Sequence, residues 1–143
     1  MANTSFEELR VNTRIKLAAM WAALMFFYIY GDYFALYIPG QAAKIVSGDT
    51  LLDNPLKVFA ASVLMAFPSM VIIISVVGKA TLARWVNIIF GIIFTGIMVL
   101  IAVTSLGEDF EWSWSSYVFY ALIESCISTA IVWHAWKWPK VGA

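Results

Sequence analysis

The chain has 143 residues, 62% of them hydrophobic and 13% charged, with nine Asp and Glu balancing nine Lys and Arg. Soluble domains run nearer half apolar and a quarter charged, so this composition excludes an ordinary soluble domain. A net charge of zero also argues against a nucleic-acid partner, which requires a basic face.

A mean hydropathy of +0.84, with charges gathered between long apolar runs, reads as an integral membrane protein. Residues 1–14 are a polar lead-in. The first span runs from about Ile15 to Ile38 and stops at Pro39-Gly40. It is longer than the roughly 7–15-residue core of a signal peptide and rich in aromatics, and Gln41-Ala42-Ala43 is a poor cleavage site. It is therefore read as a retained helix. Residues 41–55 form a polar connection in which Ala42 to Val46 make one interfacial turn before a break at Ser47-Gly48-Asp49.

Asn54-Pro55 is a start signal, an N-cap followed by proline at the first helical position, and opens a second span over 55–77. Within it, Pro68 cannot donate to the carbonyl of Leu64, which predicts a kink near mid-helix. Pro68 is thus a candidate gating hinge, a static kink being the simpler reading. Ser69 is placed to satisfy part of what the proline frees. Gly78-Lys79-Ala80-Thr81 is too short for anything but an antiparallel helical hairpin.

The third span covers 82–105. Its stripe Ala83, Asn87, Gly91 and Thr95 recurs every four residues, a spacing that lets helix backbones approach closely while Asn bonds across the contact. This predicts a packing seam, within one chain or against a second copy. The loop 106–113 is acidic, with no Lys or Arg, and the fourth span covers 114–136, with Ser113 or Ser115 able to cap its start. No internal repeat marks an inverted-repeat transporter.

The expected fold is therefore all-α: an integral membrane four-helix bundle forming one domain over 1–143. An even number of spans puts both termini on one side. That side carries Arg10, Arg14, Lys16, Lys79, Arg84, Lys137 and Lys140, against Lys44 and Lys57 on the other, which predicts both termini in the cytoplasm. Trp21, Trp85, Trp133, Trp136 and Trp138 read as an inner aromatic belt, and Trp112, Trp114 and Tyr117 as an outer one.

Two acids, Asp32 and Glu124, lie inside predicted spans, where ionisable side chains are costly and usually functional. Asp32 is roughly 10 Å from Pro39 and Glu124 roughly 15 Å from Trp114 along their helices, so the carboxyls sit at comparable depth. Neighbouring first and fourth spans would let them line one cavity. No Lys or Arg falls at that level. Either the site holds water or a cation, or at least one acid is protonated at neutral pH. Tyr28 and Tyr120, each four residues before an acid, are candidate donors to it, and Ser128 extends the line of Tyr120 and Glu124. Helical spacing turns Tyr30 and Tyr33 away from Asp32. Packing through interhelical hydrogen bonds is the plainer role for the same acids.

The remaining chemistry is sparse. Cys126 is the single cysteine, which excludes an intrachain disulfide, and it reads as a small buried hydrophobe. His134 is too far from Glu124 to join it and reads as an interfacial anchor. Met20, Met25, Met65 and Met70 share no helical face and read as core filler. No nucleophile-base motif, phosphate loop or metal-ligand spacing is present, so no enzyme activity, cofactor or metal is expected.

Trp21 followed by Tyr28, Tyr30 and Asp32, in the run RIKLAAMWAALMFFYIYGDYF, resembles the first helix of a family of small bacterial four-helix membrane proteins of unknown function. The resemblance implies a bacterial inner-membrane location and no particular activity. From the residues, the leading expectation is a small oligomeric transporter or channel for protons, cations or a small solute. The alternative is a non-transporting assembly or accessory subunit. The expected partners are membrane lipid, further copies of the chain and a small solute or ion.

Overall fold

The computed structural model describes residues 10–106 and 115–139, and every helix in them is α. In chain order these are α1 (Thr13–Ala35), α2 (Gln41–Ser47), α3 (Pro55–Val77), α4 (Ala80–Ser105) and α5 (Ser115–Trp136). Four of them, α1, α3, α4 and α5, are long and apolar enough to cross a membrane. At 1.5 Å per residue they span about 33–39 Å. The acidic loop with Trp112, the positions of Ser113, Trp114 and Lys140, and the lead-in up to residue 9 lie outside the described residues.

Local signals set the helix ends. Asn12 caps α1 by accepting from the backbone N–H of Arg14 at 2.9 Å. Asn54 caps α3 by accepting from that of Lys57 at 3.0 Å, with Pro55 next in line. α1 ends at Ala35, three residues before the expected Ile38. Leu36, Tyr37 and Ile38 instead donate to carbonyls three residues back, because the residue before Pro39 is steered out of helical geometry. The interfacial turn is a seven-residue helix, α2, bounded by Gly40 and Gly48 at φ of 81° and 76°, a region that suits glycine.

α1 and α4 each pack against both α3 and α5, and they meet across the centre. The seam of α1 is Leu17, Trp21, Leu24, Tyr28 and Gly31, all buried; their spacing of four and three residues keeps one face inward. Trp21 is therefore core and not belt. Its Nε1 donates to Asn87 Oδ1 at 2.8 Å, and its ring meets Phe94 edge-on at 5.8 Å. Asn87 Nδ2 donates in turn to Ser75 Oγ at 2.8 Å and to the Ala83 carbonyl at 2.7 Å. One amide thus ties α1, α3 and α4 together with its donors and acceptor used, which is what allows it to be buried.

The stripe on α4 lies inside the chain. Ala83 and Asn87 are fully buried, and a β-carbon on Gly91 would fall 2.6 Å from Val132 Cγ2 of α5. The hydroxyls of Thr95 and Ser128 are hydrogen-bonded at 2.7 Å. These four residues are used against the chain's own helices, so they are not the surface a second copy would meet.

At the end of the fold opposite α2, two arginines cover helix C-termini. Arg14 donates to the carbonyls of Val76 (3.1 Å) and Gly78 beyond α3. Arg84 donates to that of Ala135 (3.3 Å) near the end of α5 and lies over the ring of Trp136. Cations there pair with free carbonyls and the negative end of each helix dipole. Trp85, Trp133, Trp136 and His134 are exposed at this end. Cys126, contrary to its reading as buried, is exposed on the outer face of α5.

Candidate functional site

The buried seam of α1 continues through Gly31, where the heptad spacing calls for a large side chain and the sequence supplies none. Across from it α5 presents Tyr120 and Glu124, the latter on a buried stripe of Val118, Ala121, Glu124 and Ser128. Gly31 and Ala121 both line the space here and put little side chain into it. The space is a cavity of about 160 Å³ between all four long helices, room for several waters or one small ligand.

Tyr28, Asp32, Tyr120 and Glu124 all line this cavity. Four of the five candidate binding residues are therefore brought together. Glu124 is 4% exposed, and its Oε1 lies 4.0 Å from where a β-carbon on Gly31 would stand. The side chain leans toward the N-terminal end of α5, as helical side chains do, and so reaches the level of Asp32. Asp32 sits one residue off the seam and is exposed, at the mouth of the cavity. Among the described residues no Lys, Arg or His forms an ion pair with either carboxyl.

Tyr28 was expected to donate to Asp32. Its ring is buried, 7% exposed, and stacks on Phe94 at 6.0 Å, yet its hydroxyl has no hydrogen-bond partner among the described residues. A phenol buried in this way loses its bonds to water and gains none in return. Glu124 lines the same cavity. Tyr120 is held differently, its ring stacked on Phe34 at 6.3 Å and tilted against Phe27 at 5.8 Å.

Ser128 does not belong to the cavity. It is fully buried one turn below, against Thr95, because α4 crosses α5 there and fills the face that Glu124 presents to open space. Tyr117, read as an outer-belt residue, is a lining residue instead, as are Met65 and Met98. Tyr117 was legible in principle, since it precedes Glu124 by seven residues, two helical turns on one face. Gly31 was missed because a lone glycine in a span carries no positional signal. Tyr30, Tyr33 and Tyr37 are exposed on the far side, with the last two hydroxyls 2.7 Å apart.

Pro68 is buried at the middle of α3, which runs on through it. The residue whose carbonyl it leaves without a donor, Leu64, lines the cavity with Met65. Among the described residues no three or more His, Cys, Asp and Glu side chains gather as metal ligands would.

The model of a family described as a family of unknown function (DUF6326) matches residues 5–142. No curated protein and no solved structure matches the chain.

Proposed function

The chain belongs to that family of unknown function, and from the cavity we propose that it is a small membrane transporter or channel for protons, cations or a small solute. The observation that carries the reading is that both membrane acids line one cavity that holds no basic partner among the described residues. A structural pair of acids would be sealed against donors. Here one carboxyl is buried, one stands at the mouth, and a tyrosine hydroxyl beside them has no partner among the described residues. In this account Glu124 is the inner anionic group, Asp32 the outer one, and Tyr28 and Tyr120 shape the wall. Pro68 is the point at which α3 bends to open or close it.

The proposed setting is a bacterial inner membrane with both termini cytoplasmic, the four long helices forming a bundle. The support is that Arg14 and Arg84 lie at one end with the exposed tryptophans, as cytoplasmic ends do. The cavity then faces outward. The chain would work as a homo-oligomer, since Asp32 is exposed in a single copy and an acid in a span is better sheltered where copies meet.

The test is flux of protons and of monovalent cations in proteoliposomes, wild type against Asp32→Asn and Glu124→Gln. The proposal expects a wild-type flux that Glu124→Gln abolishes. If flux is absent, or if both variants retain it, the reading fails. A second reading has its own support: the Trp21–Asn87–Ser75 chain is polar glue and nothing more. Acids serving likewise would make this a non-transporting assembly or accessory subunit.

A further inference from the structure

We infer that the cavity is a binding site for a small organic cation, a primary alkylammonium, anchored by Glu124 and accepted by the buried hydroxyl of Tyr28. The inference deepens the proposed function by naming the ligand class and rests on that reading of the cavity.

Charge comes first. Two carboxyls face one space and no described Lys, Arg or His pairs with them, so a cation bound there would meet acceptors and no competing positive charge. The wall decides which kind. An inorganic cation gives up its water shell only for a shell of oxygen ligands. Leu64, Met65, Ile97 and Met98 offer none, and they form a large part of this lining. They suit an alkyl chain, whose burial is favourable in proportion to its apolar area.

The polar groups match an ammonium head. It carries three N–H donors. Glu124 supplies carboxylate oxygens, and the Tyr28 hydroxyl is buried and without a partner among the described residues. The faces of Tyr117 and Tyr120 stand in the same cavity, where aromatic rings attract cations. The volume of about 160 Å³ sets the size, since it falls below the roughly 300–1,000 Å³ of pockets that hold drug-sized molecules. Asp32 at the mouth attracts the cation before it reaches Glu124.

The experiment is binding of n-butylammonium, tetramethylammonium and sodium to the full chain in lipid nanodiscs, by saturation-transfer NMR and calorimetry. Saturable butylammonium binding, unaffected by equimolar sodium, is expected. Tyr28→Phe removes one acceptor, so it should weaken butylammonium by about tenfold yet leave tetramethylammonium, which has no N–H, unchanged. Glu124→Gln should abolish binding of both, with its melting curve checked first. If that variant does not fold, the Tyr28→Phe contrast between the two ammonium ions decides alone. Equal loss of both ions in Tyr28→Phe, displacement by equimolar sodium, or no saturable binding overturns the inference. Glu124-dependent proton or sodium flux without butylammonium binding overturns it while leaving the proposed function standing. Binding without any flux overturns the proposed function and leaves the site.

Discussion

The Glu124 carboxyl of α5 rests against Gly31 of α1, with Oε1 4.0 Å from the place a β-carbon would occupy. Gly31 lines the cavity and puts no side chain into it. Size at position 31 should therefore control access without disturbing the fold. Gly31→Ala adds a methyl at ordinary contact distance, 3.9 Å from Tyr120 Cβ, and should keep both fold and flux. Gly31→Leu should keep membrane insertion and lose flux. A leucine variant with wild-type flux would show that ions do not pass this point.

Tyr28→Phe should not lower the melting temperature. The hydroxyl it removes is buried and has no partner among the described residues, so deleting it takes away a desolvation cost and none of the described bonds. A clear fall in melting temperature would mean that the hydroxyl is bonded in the folded protein.

Asn87→Leu should destabilise, because it strands the Trp21 indole N–H in the core. Leaving one buried donor unpaired costs about 1–3 kcal/mol, and measured interhelical bonds in membranes average about 0.6 kcal/mol. A double-mutant cycle with Trp21→Phe should give a coupling of that order. Strict additivity of the two changes would remove the bond from the account.

Two glycines of α4 should respond oppositely. Gly91→Ala places its methyl 2.6 Å from Val132 Cγ2, while a β-carbon on Gly96 meets nothing within 4 Å. Overpacking of the first kind costs about 1–3 kcal/mol. The second should be neutral or stabilising, since alanine is the better helix former. Equal melting temperatures for the two variants would contradict the seam.

The spans were legible because a membrane helix must be long, apolar and closed by caps, and Asn54-Pro55 and Gly78-Lys79 say where it starts and stops. The shared cavity was legible from depth arithmetic on Asp32 and Glu124. What failed was facing. Trp21 near the basic end looks like a belt residue, and only the spacing Leu17, Trp21, Leu24, Tyr28 reveals that it points inward. Ser128 lies four residues after Glu124 and shares its helical face, but which part of that face meets α4 and which meets empty space depends on the crossing of the helices. Cys126 illustrates the same limit from the other side: mid-span position does not distinguish core from outer face.

The central claim, that the Glu124 carboxyl is an accessible ion site and not a sealed structural acid, is tested most directly by infrared difference spectroscopy in lipid. Adding n-butylammonium, or stepping the pH, should change a carboxyl band that disappears in Glu124→Gln and survives in Asp32→Asn at altered intensity. A spectrum with no carboxyl change, or one unaltered by Glu124→Gln, would contradict it.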